Sequence, residues 1–235
     1  MNVKVNIHDR SLSKKLEKMR QLEELSIAIS KGEFAQSQIN ENHLKKMERK
    51  PINLSYLRLL KSLEIIDLDN SKSFVFMERN LHHSPNSWNE PNFALLKELN
   101  LSGMKDNCGT FLKNILSNSP GITKLCIDRF EITNDTDHEN LSIVNILARK
   151  KLKNLQKLSM AHISLNSEQI KEFTFEKYSH ILELNLSNNC INYLPDSFEA
   201  LQNLIRLNLS HNSLENCYQI YKMKKIEHLY LNNNK

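Results

Sequence analysis

Glycine is scarce in this 235-residue chain: there are four, beside five prolines and a single tryptophan. Phosphate-cradling loops, dinucleotide-binding turns and large all-β sandwiches draw on glycine for their turns, so the shortage argues against each. The four cysteines (Cys108, Cys126, Cys190 and Cys217) form no CxxC and no close pair. That argues against a disulfide framework or a zinc site and leaves free thiols in a reducing compartment. No apolar run approaches the roughly 20 residues needed to span a bilayer, and the opening MNVKVNIHDRSLSKKLEKMRQ lacks the continuous apolar stretch of a signal peptide. The chain therefore reads as cytoplasmic. Its net charge of +5, with both signs well mixed, is not the footprint of a dedicated nucleic-acid binder.

Catalytic signals are missing too. The sequence has no Gly-rich phosphate loop, no HExxH, no GxSxG and no Cys/His pairing at a recognised spacing. DTDHEN, Asp135 to Asn140, lacks the mid-loop glycine and closing Glu of a calcium loop and reads as acids favouring a helix N-terminus. The adjacent His82 and His83 read as a surface loop, since neighbouring residues rarely face one metal. The expectation is a chain that is not an enzyme and takes no cofactor, metal or small-molecule substrate.

What is present is repetition. The pattern L-x-x-L-x-L occurs at Leu22 (LEELSI), Leu63 (LEIIDL), Leu96 (LKELNL), Ile122 (ITKLCI), Leu155 (LQKLSM), Ile181 (ILELNL), Leu204 (LIRLNL) and Ile226 (IEHLYL). The alternation at the end of each copy is strand periodicity with one face buried. No copy can bury its leucines alone, so copies must stack and pair their strands in parallel. Asparagine recurs after three of these strands, at Asn189, Asn212 and Asn234. A core does not need the same polar residue in the same place, so these three read as turn-holding residues. An unpaired buried polar group costs about 1–3 kcal/mol, and a side-chain amide can satisfy the backbone groups that a turn strands.

The motif resembles that of the leucine-rich repeat family, LxxLxLxxN/CxL, over residues 22–235. The resemblance implies an α/β fold: a curved horseshoe solenoid with a parallel concave sheet and helices or irregular returns on the convex side. The whole chain reads as one solenoid domain in three stretches: irregular helical copies over 1–62, longer helix-bearing copies over 63–180, and short typical copies over 181–235. From Leu63 the copies are spaced 33, 26, 33, 26, 23 and 22 residues apart, and the longer intervals leave room for helices. Three are expected, with Phe111, Leu112, Ile115 and Leu116 buried in the first, Leu141, Val144, Ile146 and Leu147 in the second, and Ile170 and Phe173 in the third. Asn166 and Ser167 are candidate caps of the third. Met104, Phe130 and Ile163 replace the motif asparagine in these middle copies, which are similar to the ribonuclease-inhibitor type. Amphipathic helices are also expected over 9–22 and 37–49, and an irregular insertion carrying Trp88 over 73–91. The last copy stops in mid-repeat, so its core layer is expected to be covered by further chain or by a partner.

The family resemblance places binding on the concave strand face, and a protein is the expected partner. Its candidate partner-binding residues are Asp67 and Asp69; Glu98 and Asn100; Lys124 and Asp128; Lys157 and Ser159; Glu183 and Asn185; Arg206 and Asn208; His228 and Tyr230. The same face is read to present Ile65, and one column turns basic toward Arg206 and His228. A second reading makes the array the substrate-recognition or regulatory arm of a larger enzyme or receptor, such as a ubiquitin-ligase adaptor or an effector delivered into a host cell. Nucleic-acid binding is a minor third. The basic clusters near Lys45, Lys150 and Lys224 read as solvated helix ends.

Overall fold

The computed structural model describes residues 18–29, 54, 57–67, 93–107, 109–133, 142–150 and 152–235. Each strand expected from the leucine motif is present, and most are three residues long. They are β1 (Glu24–Ile29), β2 (Ser62–Asp67), β3 (Glu98–Asn100), β4 (Lys105–Asn107), β5 (Lys124–Cys126), β6 (Glu131–Thr133), β7 (Lys157–Ser159), β8 (Glu183–Asn185), β9 (Arg206–Asn208) and β10 (His228–Tyr230). Eight form one parallel sheet in the order β1-β2-β3-β5-β7-β8-β9-β10, while β4 and β6 pair separately. The fold is the repeat solenoid implied by the family resemblance.

Register explains the recurring leucines. Leu25, Leu63, Leu99, Leu125, Leu158, Leu184, Leu207 and Leu229 lie opposite one another from strand to strand. The first seven are buried, whereas Leu229, on the edge strand, is 41% exposed. A parallel row follows two residues later through Ile27, Ile65, Leu101, Ile127, Met160, Leu186 and Leu209, all buried. Full burial of each such side chain contributes about 1.5–3 kcal/mol, and neighbouring coils supply most of the contact.

The second copy corrects the reading from sequence. Leu63 pairs with Leu25 and Leu99, so it is the second leucine of its copy and not the first. The motif there is LKSLEI, beginning at Leu60, and Ile65 is a fully buried core residue and not part of the strand face. The interval from Leu22 is thus 38 residues, and the next is 36. LKSLEI and LEIIDL satisfy the pattern equally well, and only pairing with the flanking strands separates them.

Among the described residues three helices lie on the far side: α1 (Thr110–Ser117), α2 (Ile143–Arg149) and α3 (Ser167–Glu172). Phe111, Leu112, Ile115 and Leu116 of α1, Val144, Ile146 and Leu147 of α2, and Ile170 of α3 are buried, as is Phe173 just beyond α3. Leu141 falls outside the described residues. Asn166 caps α3 in a capping box with Gln169. Ser167 does not cap it. Its hydroxyl donates to Asn192 and Tyr193 and accepts from their backbone N–H groups, tying two coils together. After α3 the returns tighten into 3₁₀ turns at Phe175–Tyr178, Asp196–Ala200 and Tyr218–Lys222. Phe173, Phe175, Tyr178 and Phe198 pack as an aromatic cluster there, with ring centroids 4.8–4.9 Å apart. The helix expected over 37–49, most of that over 9–22, the segment 73–91 and Asp135 to Asn140 lie outside the described residues.

From β3 onward the coils leave the sheet through a left-handed residue two positions after the last strand-row apolar side chain: Gly103, Arg129, His162, Asn188, His211 and Asn233. The conformation turns the backbone N–H toward the next coil; Arg129 N donates to Ala161 O (2.8 Å) and Asn188 N to Ser210 O (2.9 Å). Only one of these six sites uses glycine, so the others carry the left-handed cost of about 1–2 kcal/mol, less for asparagine. The next residue is the motif position. Asn189 Oδ1 accepts from Ile163 N (3.2 Å) and Leu165 N (3.1 Å), while Nδ2 donates to Met160 O and Leu186 O (both 2.9 Å). Asn212 and Asn234 repeat this one and two coils on. Met104 and Phe130 occupy the same position as buried apolar side chains. The backbone beyond them pairs directly as β4 and β6, so the exit segments find partners without an amide.

Candidate functional site

The strand face opposite the core lines a groove of about 820 Å³ that runs along the whole eight-stranded sheet. Alternation within each strand sends one leucine inward and the residues beside it to this face. Successive strands therefore stack these residues into columns.

The first column is charged and largely paired across strands. Lys124 Nζ lies 2.5 Å from Glu98, and Lys157 Nζ lies 2.6 Å from Glu183. The second carboxylate oxygen of Glu183 is 3.7 Å from the Arg206 guanidinium. Such exposed pairs are each worth about 0–1 kcal/mol; they orient the side chains more than they stabilise the fold. His228 ends the column beside Arg206.

The second column is a hydrogen-bonded network. Glu64 accepts from Ser26 Oγ (2.7 Å) and Asn100 Nδ2 (2.9 Å). Asn100 Oδ1 accepts from Ser102 N and Oγ, and that hydroxyl lies 3.1 Å from Cys126 Sγ. Farther along, Asp128 accepts from Ser159 Oγ (2.6 Å) and Ala161 N (2.7 Å), and Asn185 Nδ2 donates to Ser159 Oγ (2.9 Å). Burial pushes the Cys126 thiol above its ordinary range, partly offset by the Ser102 contact, so at neutral pH it is not the thiolate a nucleophile requires. Among the described residues no three His, Cys, Asp or Glu side chains come close enough to hold a metal ion. Among them also, no helix is long and apolar enough to cross a membrane.

The structure brings Glu98, Asn100, Lys124, Asp128, Lys157, Ser159, Glu183, Asn185, Arg206, Asn208, His228 and Tyr230 onto this one face. Asn189, Asn212 and Asn234 stand apart from it, under the exit turns. Asp67 ends β2, with its backbone opposite Ile29; its side chain, and all of Asp69, lie outside the described residues. Glu64, which joins β1 to β3 through its carboxylate, was missed because the second copy was framed from Leu63; framing it from Leu60 would have found it.

Residues 153–214 match the family model described as leucine rich repeat. No curated protein matches the chain. Among solved structures it is similar to a leucine-rich-repeat protein of Leptospira interrogans, with 21% identity and a TM-score of 0.55, covering 94% of this chain and 46% of that one. An internalin-like protein of Listeria monocytogenes is 17% identical with a TM-score of 0.53, covering 97% of this chain and 62% of that one. A chain of the mouse RP105/MD-1 complex is 17% identical with a TM-score of 0.57, covering 98% of this chain and 33% of that one. The chain thus spans less than two thirds of each of these three structures.

Proposed function

Because this chain is a leucine-rich-repeat solenoid, we propose that it is a non-enzymatic interaction module that holds a protein partner against its strand face. One observation carries the reading: the groove is a continuous array of half-buried and exposed polar and charged side chains, set on a hydrogen-bonded sheet whose inward leucines are buried on its first seven strands. Rigid presentation lowers the entropy cost of association, and paired charges of both signs favour a surface that is itself mixed in charge. The mouse neighbour, seen in a complex, supports an array of this fold working with another protein. The test is site-specific photo-crosslinking. A benzophenone side chain at Ser159 in the groove should trap a protein, whereas the same group at Glu176, exposed on the far side, should not. Equal trapping at both positions, or trapping at Glu176 alone, refutes the reading.

A further inference from the structure

Three asparagines occupy the same place on the strand face, Asn100, Asn185 and Asn208, each two residues before a serine. Each turns its Oδ1 to the backbone N–H of that serine: Ser102, Ser187 and Ser210. The first two also donate from Nδ2 to the preceding strand, Asn100 to Glu64 and Asn185 to Ser159. Asn208 has Asn185 opposite it instead, and its Nδ2 meets no acceptor among the described residues. Register sets Tyr230 beside Asn208, and His228 beside Arg206. Tyr230 is 45% exposed, and neither its hydroxyl nor the His228 ring has a hydrogen-bond partner among the described residues. Among the described residues the Arg206 guanidinium reaches only one carboxylate oxygen, that of Glu183, beyond hydrogen-bond distance.

The two ends of the groove therefore differ in kind. From β1 to β8 the polar groups of the second column satisfy one another. On β9 and β10 four side chains form a two-by-two patch, about 5 Å across the strands and about 7 Å along them, and among the described residues their side-chain donors have no acceptor within hydrogen-bond distance. Tyrosine and arginine are also the residue types that most often dominate interface energetics. Resting on the reading of this face as a protein-binding surface, we infer that the patch Arg206–Asn208–His228–Tyr230 is its anchoring site and that it takes a carboxylate-bearing, acidic peptide segment of the partner. A carboxylate accepts from the guanidinium and the amide together, while the phenol ring supplies apolar area beside it. An acidic segment fits better than a nucleic-acid strand, because a single aromatic and one arginine give neither a stacking platform nor a backbone track.

The experiment is selection of a random peptide library displayed on phage against the full chain, followed by fluorescence anisotropy of the best binder as a synthetic peptide. The expected peptides carry Asp or Glu, and replacing those acids by Asn or Gln abolishes binding. Arg206→Ala and Tyr230→Ala each weaken binding at least tenfold, and more than Lys124→Ala does, while Glu176→Gln on the far side leaves it within twofold. Selected peptides without acids overturn the inference. A larger loss for Lys124→Ala than for Arg206→Ala also overturns it, but leaves the strand face standing as the binding surface. Peptides that ignore every strand-face substitution remove both. A poly-uridine oligonucleotide that binds more tightly than the peptide, and is released by Arg206→Ala, replaces the acidic peptide with nucleic acid.

Discussion

Replacing Asn189 by alanine tests the argument that joins the sequence repeat to the stability of the stack. In the native chain the amide serves two coils at once. Without it, Leu165 N and Ile163 N lose the only acceptor that reaches them among the described residues, and Met160 O loses its donor. Leu186 O keeps Asn212 Nδ2, and Ser187 O keeps His162 N, so those two carbonyls remain paired. Two buried groups and one half-buried group are thus stranded. At about 1–3 kcal/mol for each buried group, the loss is about 3–5 kcal/mol, a large share of the 5–15 kcal/mol that a typical domain possesses. Asn234→Ala is the internal control. Its amide serves Leu214 N, Leu209 O and Leu231 O at the open edge, where water can replace it, so the cost falls to about 1 kcal/mol. Urea unfolding followed by circular dichroism measures both, and hydrogen exchange at the Ile163 and Leu165 amides locates the damage. If Asn189→Ala loses less than 1 kcal/mol, or no more than Asn234→Ala, the asparagine ladder does not hold the coils together.

Asp106 is buried and accepts from Phe111 N and Leu112 N, and burial raises its carboxyl from 3.8 to about 6. The native chain therefore keeps a proton that the unfolded chain has already lost between pH 4 and 6. This contribution is full below pH 4 and lost as pH rises to about 6, by about 3 kcal/mol. Asp106→Asn should flatten that slope in urea titrations across this range, and an unchanged slope rejects the assignment. At the left-handed exit turns, Arg129→Gly should raise the unfolding midpoint by relieving φ 55°, worth about 0.5 kcal/mol after the extra flexibility of unfolded glycine. Gly103→Val should lower it by about 2 kcal/mol, and opposite signs would mean that the turn does not need this conformation. Tyr178→Phe removes the hydroxyl that donates to Leu147 O (2.7 Å) at the end of α2. Thermal unfolding should register a loss of about 1 kcal/mol, and no loss would show that water takes over that carbonyl.

The repeat itself was legible residue by residue. Leu99, Leu125, Leu158, Leu184 and Leu207 could be placed in one buried row from spacing alone, because strand alternation leaves an x-Leu-x segment one way to face a core. The helices were nearly as plain: Phe111, Leu112, Ile115 and Leu116 describe one face of α1. The identity of the turn residues was less so. Asparagine was expected to carry the turns, yet the left-handed position holds Arg129, His162 and His211 as readily as Asn188 and Asn233. What selects that conformation is the N–H it aims at the next coil, a contact with no local trace in the sequence.

Spacing along the chain therefore determined the row of leucines, the parallel stack and the side on which the helices lie, since each follows from short-range periodicity. Tertiary structure alone decided the frame of the copy at Leu60, the burial of Ile65 and the role of Glu64, because two overlapping motifs are degenerate until a neighbouring strand pairs with one of them. It also decided which polar groups satisfy one another and which, like Asn208 Nδ2, face outward with no acceptor among the described residues. A hydrogen bond between coils depends on which side chain stands opposite across some 4.8 Å, and that partner lies twenty or more residues away along the chain.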